Sequence, residues 1–266
     1  MTKIIDVTQY LEKIAPLHLQ ESYDNAGLIC GHQYEEVKGV LVSLDCIESI
    51  VDEAIRKQCN LIVSHHPIIF KGLKSLTGQN YVERTVMKAI KHDIAIYAIH
   101  TNLDNVLDKG VNERIAQRIG LVDIQPLIPK DIGDESRKVG TGVIGTPNKP
   151  MPTMAYLHMI KDAMSTSCVK HTAPVKDVIK RVAVCGGSGS SFLKNAIRAN
   201  ADLYITADFK YHEYFDAEDD IIIADIGHYE SEQYTIDLLY EIITNKFRNF
   251  AAYYTEVNTN PVKYLF

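Results

Sequence analysis

An internal repeat is the feature that most constrains the fold of this chain. Residues 38–66 align with residues 180–208 without a gap. Each copy reads as a β-branched strand, a polar loop, an amphipathic helix and a second strand, which together form a βαβ unit with parallel strands. A second correspondence follows each copy, because residues 92–104 resemble residues 219–231 as a third strand that ends in polar residues. Chance similarity between βαβ units is the alternative, and the ungapped length of the match favours duplication.

The repeat therefore predicts an α/β fold of two similar lobes related by internal duplication. Each lobe is expected to have a mainly parallel or mixed sheet with flanking helices. Five prolines lie among glycines in residues 126–155, which predicts a junction between the lobes. We predict a first lobe of residues 1–125 and 226–266 and a second lobe of residues 126–225. Their intertwined course also allows them to be counted as one domain.

The spacing of apolar residues predicts further elements outside the repeat. These are an N-terminal helix that opens at Asp6 or Thr8 and ends near Pro16, helices over residues 81–91, 105–119, 154–164 and 231–247, and a final strand in the tail 251–266. Asp104 can cap the helix over residues 105–119.

Composition argues against several classes of protein. The net charge is −6 and no long basic run occurs, so nucleic acid is not expected as the main partner. The five cysteines show no CxxC spacing, as expected of a reduced cytoplasmic protein. The N-terminus lacks the apolar stretch of a signal peptide, and no apolar run approaches the roughly 18 residues of a membrane span. We expect a cytoplasmic protein without membrane contact.

A pair of adjacent histidines, His65 and His66, stands where the apolar run of residues 61–63 ends and Pro67 turns the chain. Adjacent imidazoles on a strand point in roughly opposite directions, so they rarely hold one ion together. At the end of a strand, where the chain curls over the edge of the sheet, they can instead face two ions side by side. This pair predicts half of a two-metal site.

Three residues later in the chain supply further side chains that can bind metal. Asp104 lies just past the strand predicted over residues 94–99, and His228 lies just past the strand predicted over residues 221–226. Glu232 follows His228 by four residues, which places both on one face of a helix. Open α/β sheets bind ligands at the carboxyl ends of their strands. We therefore predict that these residues meet the histidine pair in the crevice between the lobes.

Ligand chemistry narrows the choice of metal. Three imidazoles and two carboxylates without a thiolate suit Zn, Fe, Mn, Co or Ni rather than Ca or a cysteine-rich zinc site. Glu232 can bridge two ions, with His65 and His228 on one ion and His66 and Asp104 on the other. Five ligands for two ions leave positions for water or substrate, which is typical of catalytic sites. The sequence thus predicts two divalent ions per subunit and a hydrolytic reaction, without identifying a catalytic acid or base.

Other residues allow more than one interpretation. The segment CGGSGSS, residues 185–191, lacks the pattern of a dinucleotide or phosphate loop and is either a glycine nest for a substrate phosphate or a tight strand-to-helix turn. Asp208 and His212 are acid–base candidates or, equally, a helix cap and a surface histidine. His100 is expected to support the ligands rather than to bind metal. Lesser candidates to line the cleft are Asp24, Asn25 and Asp45.

Six motifs, YDNAGL, SLD, SHHPIIF, HTNLD, TADFKYHE and GHYESE, occur in this order between Tyr23 and Glu232. Together they resemble the GTP cyclohydrolase I type 2 homologue family, YbgI-like proteins with a dinuclear metal centre. The resemblance implies two related α/β lobes in a ring-shaped hexamer, in the short form without an inserted domain. It also implies two metal ions held by the residues His65, His66, Asp104, His228 and Glu232, the same five reached from the strand ends.

The family name implies a reaction as well. GTP would undergo hydrolytic opening of its purine ring, with formate released and 7,8-dihydroneopterin triphosphate formed. A small-molecule, nucleotide-like substrate is therefore expected. The alternatives are a hydrolase of another phosphorylated metabolite and a non-enzymatic ring that stores or delivers metal or scaffolds a partner.

Overall fold

The computed structural model describes residues 1–134 and 136–265. The chain divides into two compact units, the first of Met1–Leu103 and Thr235–Pro261 and the second of Asp104–Tyr234 and Val262–Phe266. Glu135 and Phe266, which fall within the predicted lobes, lie outside the described residues.

The helices and strands follow in chain order. The α-helices are α1 Ile4–Ile14, α2 Glu48–Arg56, α3 Tyr81–Lys91, α4 Thr101–Asp104, α5 Val111–Arg118, α6 Thr153–Ala163, α7 Leu193–Arg198, α8 His228–Glu232 and α9 Thr235–Lys246. The strands are β1 Gly27–Cys30, β2 Gly39–Ser43, β3 Leu61–Ser64, β4 Ala95–Ala98, β5 Leu121–Pro129, β6 Gly140–Pro147, β7 Met151–Pro152, β8 Lys170–His171, β9 Val178–Ile179, β10 Val182–Ser188, β11 Leu203–Ala207, β12 Ile222–Asp225 and β13 Ala251–Tyr254. Short 3₁₀ helices cover Leu17–Leu19, Ser190–Phe192 and Tyr211–Ala217.

The first unit is built on a five-stranded sheet in the order β1-β4-β3-β2-β13. Strands β2, β3, β4 and β13 run parallel, and β1 joins the β4 edge in the antiparallel direction. Alternate strand residues such as Leu41, Ile62 and Ile96 pack with Ile50 of α2 and Val86 of α3 in one buried cluster. The central strands are buried along their whole length, which explains their continuous apolar runs.

The second unit contains a six-stranded mixed sheet in the order β5-β6-β10-β11-β12-β8. Strands β10, β11 and β12 are parallel, whereas β6 and β8 pair antiparallel with β10 and β12. Strands β7 and β9 form a separate two-stranded pair. The predicted α/β class, with sheets and flanking helices, is confirmed.

The repeat reappears in the pairing of the strands. Val40 of β2 pairs with Leu61 of β3, and Val182 of β10 pairs with Leu203 of β11. In the alignment of the two copies, Val40 corresponds to Val182 and Leu61 to Leu203, so both copies use the same register. Helix α2 corresponds in this alignment to the 3₁₀ turn plus α7.

The third strands match as well. Leu61 pairs with Ala95 in the first unit, and Leu203 pairs with Ile222 in the second. Ala95 and Ile222 occupy the same position when residues 92–104 are aligned with residues 219–231. The duplication remains a prediction, and these shared registers support it.

The predicted limits of the lobes differ from those of the two units. The proline-rich segment 126–155 is not a junction, because it contains the last four of the nine residues of β5 and all of β6, which pair with each other in the second sheet. Pro126 and Pro129 fit there because β5 is an edge strand, where a missing N–H is tolerated. The predicted boundary at residue 125 therefore falls inside a strand, and the second unit begins earlier, at Asp104.

Some predicted helix limits agree with the structure and others do not. The helix over 81–91 is confirmed as α3, and the tail contains β13, although no strand follows Tyr254 up to Leu265. The helix predicted over residues 105–119 is wrong in its first turns, since α5 begins only at Val111 with Gly110 at its N-cap. Asp104 is the last residue of α4 and does not cap α5. The predicted helix 231–247 is two helices, α8 and α9.

Within the described residues, no helix combines the length and the apolar character needed to cross a bilayer.

Candidate metal centre

The histidine pair lies where the chain leaves strand β3 in the first unit. Backbone pairing continues past the strand, because the N–H of His65 donates to Ser43 O at 3.2 Å and that of His66 to Leu44 O at 2.9 Å. These bonds fix both histidines at the carboxyl edge of the parallel sheet. The side chain of His65 is fully buried, whereas that of His66 is 20% exposed.

His100 reaches the same place from the end of strand β4. The ring centroids of His65 and His66 are 5.0 Å apart, and each is 5.2 or 5.3 Å from that of His100. One ring nitrogen from each of the three lies within 4.8 Å of the other two. Three imidazoles in such a cluster offer nitrogen ligands to a metal ion. His100, expected only to support the ligands, is thus part of the cluster itself.

Each of these imidazoles is oriented by an oxygen at its Nδ1. Nδ1 of His65 lies 2.8 Å from the carbonyl oxygen of Ile99, and Nδ1 of His66 lies 2.8 Å from Oδ1 of Asp45. Nδ1 of His100 lies 2.7 Å from an oxygen of a second aspartate, described next. A hydrogen on Nδ1 satisfies every one of these contacts and leaves the Nε2 lone pair as the metal ligand. This is the usual arrangement around metal-binding histidines.

The aspartate beside His100 is Asp24, whose side chain is fully buried. Burial alone would raise the pKa of Asp24, but hydrogen bonding and charge from His100, with further hydrogen bonds from Thr101 and from the backbone of Asn25, lower it to about 2. Asp24 therefore remains a carboxylate that accepts the Nδ1 hydrogen of His100. Asp24 and Asp45, which were lesser candidates to line the cleft, are anchors for histidine rings.

The second unit carries its own cluster on helix α8. Gly227, with φ +92°, turns the chain from β12 into the helix. Nε2 of His228 lies 3.2 Å from Oε2 of Glu232, the spacing expected for residues four apart on a helix. Nδ1 of His228 lies 2.7 Å from Oδ2 of Asp208. The predicted pair on one helical face is present, and Asp208 orients it.

The charged groups of this cluster shift one another's pKa values. Burial lowers the pKa of His228, but Asp208 and Glu232 outweigh it and raise the pKa to about 11. The hydrogen bond from His228 lowers the pKa of Asp208 despite partial burial. Without a metal, a proton on His228 balances the two carboxylates. A divalent cation can take the place of that proton, because metal binding to histidine releases one.

Asp104 completes the cluster of the second unit. One of its carboxylate oxygens lies within 4.8 Å of a carboxylate oxygen of Glu232. Burial, and then the negative charges of Asp104 and Glu232, raise the pKa of the nearby Cys185 thiol. Cys185 therefore stays protonated beside these carboxylates. Two close carboxylates beside an imidazole suit a divalent cation.

The glycine-rich segment makes room for Glu232. A Cβ on Gly187 would overlap with Oε1 of Glu232, and the φ of Gly187 is +64°. The N–H groups of Gly186 and Gly187 donate to Oδ1 of Asn112 and Oγ of Ser231, both at 2.9 Å. The N–H groups of Gly186 and Gly187 are therefore engaged inside the unit rather than offered to a substrate phosphate.

The remaining acid–base candidates have other surroundings. His212 is exposed on the 3₁₀ helix, where its ring contacts those of Tyr211 and Phe215. Asn25 donates from Nδ2 to the carbonyl oxygen of Ile69 at 2.6 Å. Neither observation indicates a role in proton transfer.

Sequence reasoning missed two threonines that hold the aspartate anchors. Oγ1 of Thr259 donates to Oδ2 of Asp45 at 2.5 Å, and Oγ1 of Thr101 donates to Oδ2 of Asp24. Thr259 and Asp45 lie near opposite ends of the sequence, so no local pattern could reveal the contact. Thr101 follows His100 directly, and a threonine beside a candidate histidine was an available signal.

The residues of both clusters fit a divalent transition metal. Every donor is an imidazole nitrogen or a carboxylate oxygen, and each of the four histidines has its Nδ1 against an oxygen. Such clusters at the carboxyl ends of strands are typical of metal-binding α/β proteins.

Comparison with known proteins defines the family. The chain matches the Duf34/NIF3 (NGG1p interacting factor 3) family over residues 2–261 and belongs to it. A GTP cyclohydrolase 1 type 2 homolog of Clostridium perfringens is 32% identical over 231 residues, which cover 86% of this chain and 87% of the relative. The resemblance seen in the motifs is thereby confirmed.

A longer relative and a solved structure extend the comparison. The homolog of Staphylococcus epidermidis is 28% identical over 367 aligned positions, covering 98% of this chain and all of the relative. Because this chain has only 266 residues, that relative contains an additional segment, as the short form predicts. The crystal structure of Staphylococcus aureus protein SA1388 is similar with a TM-score of 0.90 and 31% identity, and the match covers 99% of each chain.

Proposed function

We propose that this protein is a hydrolase that depends on a dinuclear metal centre. His65 and His66 of the first unit and Asp104, His228 and Glu232 of the second would hold two divalent ions, drawn from Zn, Fe, Mn, Co and Ni. The observation that carries the proposal is the orientation of the histidines. Each has an oxygen at 2.7 or 2.8 Å from Nδ1, which favours Nε2 as the metal ligand.

Chain connectivity supports bringing these groups together. Asp104 is the first residue of the second unit and follows Leu103, where the chain leaves the first unit. Glu232 lies three residues before Thr235, where the chain returns to the first unit. Two crossings of the chain between the units therefore occur within a few residues of proposed ligands.

The chemistry of the donors favours hydrolysis. When bound, two ions supply a Lewis acid and a water of lowered pKa. The chain contributes fixed ligands, because Asp208 holds the ring of His228 and the turn at Gly187 leaves room for the carboxylate of Glu232.

We propose a nucleotide-like small molecule as substrate, with GTP as the named candidate. The support is the name of the relatives, GTP cyclohydrolase 1 type 2 homolog. The products would be formate and 7,8-dihydroneopterin triphosphate. We further propose a cytoplasmic homohexamer, and light scattering of the purified protein would test its oligomeric state directly.

The proposed activity can be tested by reconstitution. The metal-free protein is loaded separately with Mn²⁺, Fe²⁺ and Zn²⁺, and formate release from GTP is measured beside phosphate release from a panel of phosphate esters. We expect turnover that E232Q abolishes and that H92N, a change at an exposed histidine of the first unit, leaves intact. Release of phosphate from the esters without formate release from GTP would indicate a hydrolase of another phosphorylated metabolite. Two tightly bound ions without any turnover would favour a protein that stores or delivers metal.

A further inference from the structure

We infer that Tyr23 and Phe70 of the first unit form a stacking surface for a planar heteroaromatic ring of the substrate, and that Lys71 and Lys74 bind phosphate attached to that ring. The ligand class is therefore a nucleotide. The inference rests on the nucleotide-like substrate of the proposed function and deepens it. It gives that substrate a binding site made of residues outside the five proposed metal ligands.

Two exposed aromatic side chains lie side by side in the first unit. Tyr23 is 64% exposed and Phe70 is 47% exposed. Their ring centroids are 6.1 Å apart, and the ring planes are inclined at 48°. Aromatic rings attract one another at this separation. Because both residues keep a large part of their surface accessible, the flat face of a further ring can stack on the pair.

The aromatic pair is next to the histidine cluster of the first unit. The ring centroid of Phe70 lies 6.3 Å from that of His100, and the two planes meet at 71°. The centroid of His100 lies 5.2 Å from that of His65 and 5.3 Å from that of His66. A ligand stacked on Phe70 is therefore close to two of the proposed metal ligands, where a reacting substrate has to lie.

The loops that carry the two rings are fixed by buried and hydrogen-bonded neighbours. Asp24, next to Tyr23, has a fully buried side chain. Asn25 donates from Nδ2 to the carbonyl oxygen of Ile69 at 2.6 Å, which ties the loop of Tyr23 to the residue before Phe70. The rings are thus held together before a ligand arrives, so little conformational entropy is lost on binding. The motifs YDNAGL and SHHPIIF acquire a common role in this way.

Positive charge follows the aromatic pair along the chain. Residues 66–80 contain two lysines and no acidic residue, although the net charge of the whole chain is −6. Lys71 directly follows Phe70, Lys74 lies three residues further on, and both are exposed. A lysine ammonium binds phosphate as a point charge. An aromatic surface followed by two ammonium groups matches the chemistry of a base followed by phosphate.

Stacking selects the class of ligand rather than one base. Every nucleobase has a flat face, so stacking on aromatic side chains is tolerant of the base. The pair therefore favours nucleotides over phosphate esters without a ring. It does not separate guanine from adenine.

The test separates the two parts of the ligand. Titration calorimetry with the full chain measures the binding of guanosine and adenosine, which have a ring without phosphate, and of tripolyphosphate, which has phosphate without a ring. We expect guanosine and adenosine to bind with similar affinity. Tripolyphosphate binding should weaken as the ionic strength rises, because salt screens exposed charges.

Variants of the aromatic pair test the stacking surface. F70L and Y23L keep an apolar side chain but remove the flat face, so each should weaken guanosine binding by about 5- to 150-fold. Neither should change tripolyphosphate binding. Tyr34 is exposed to the same extent as Tyr23, at 64%, and Y34L should therefore bind both ligands as the wild type does.

Variants of the lysines should show the opposite pattern. K71Q/K74Q should weaken tripolyphosphate binding and leave guanosine binding unchanged, because only the charges are removed. K91Q/K161Q, at two exposed lysines outside this segment, is the matched control. Equal tripolyphosphate affinities of the two double variants would overturn the assignment of the phosphate to Lys71 and Lys74.

The remaining outcomes separate this inference from the proposed function. It is overturned if the wild-type chain binds no guanosine, or if F70L binds it as tightly as Y34L does. A lower oligomeric state of F70L in light scattering, with guanosine binding unchanged, would overturn it in favour of a contact between copies of the chain. These failures leave the dinuclear centre standing, since its test counts bound ions and the turnover that E232Q removes. Conversely, guanosine binding that F70L weakens, in a chain that binds no metal ion, would support the nucleotide site and overturn the dinuclear centre.

Discussion

Oδ2 of Asp208 lies 2.7 Å from Nδ1 of His228, within hydrogen-bonding distance. In the alignment of residues 38–66 with residues 180–208, Asp208 corresponds to His66. The same position of the repeat is therefore a proposed ligand in the first unit and an anchor for a ligand in the second. If the halves arose by duplication, one copy keeps a metal ligand at this position and the other a residue that orients a ligand.

The anchoring role of Asp208 leads to the first prediction. D208N should weaken Zn²⁺ binding by about 10- to 100-fold relative to the wild-type chain. The acceptor-only carboxylate that holds His228 with its hydrogen on Nδ1 is replaced by a neutral amide, which can also donate to Nδ1 and so favour the other tautomer. Competition with a chelator measures the change. D216N, an exposed aspartate of the 3₁₀ helix in the same unit, serves as the control. Equal affinities for the two variants would refute an orienting role for Asp208.

Gly187 should tolerate no side chain. Its φ of +64° is strained for an L residue, and a Cβ would overlap with Oε1 of Glu232. G187A should therefore lower the free energy of unfolding by about 1–3 kcal/mol and also weaken metal binding, as Glu232 is pushed aside. Urea unfolding and Zn²⁺ titration measure the two effects. At Gly72 a Cβ would meet nothing within 4 Å, so G72A should change neither.

Acid should weaken the first unit through Glu53 of α2. Burial raises the pKa of Glu53, but hydrogen bonds from Thr255, from the backbone of Glu256 and from Lys57 outweigh it and lower the pKa below 4.5. A carboxylate whose pKa is lower in the folded state stabilises the fold above its unfolded pKa, and that stabilisation is lost as the pH falls through the folded value. The side chain of Glu53 is completely buried, so this loss of folding stability in acid should be measurable.

The variant E53Q tests this dependence. At pH 7 it should cost about 1.5–3 kcal/mol of unfolding free energy, the range for hydrogen bonds to charged groups. As the pH falls below 4.5, the ordinary pKa of the group, the difference from the wild type should shrink, because the wild-type carboxylate becomes protonated as well. E35Q, at an exposed position, should follow the wild-type curve throughout. A difference that stays constant from neutral pH into the acid range would contradict the linkage.

The parallel strands of the two repeat copies were predictable, because apolar runs and the repeat report directly on buried parallel strands. The strand limits around Leu61 and Ala95 followed from the alternation of buried and polar segments. Residues 126–155 were predicted to be a junction between the lobes because they are rich in proline. Prolines occur both in linkers and in edge strands, and the sequence does not distinguish the two. His100 was underrated because only the folded sheet shows that the ends of β3 and β4 bring three imidazoles together.

The position of the histidine pair should depend on the core beneath strand β3. Ile62 lies in this strand, is fully buried and packs in the cluster with α2 and α3. I62A should lower the free energy of unfolding by about 2–5 kcal/mol, because it leaves a cavity in a well-packed core. I90A, at a position 51% exposed on α3, should cost less than about 1 kcal/mol. Urea unfolding of both variants gives the comparison, and similar costs would mean that β3 is not anchored by this cluster.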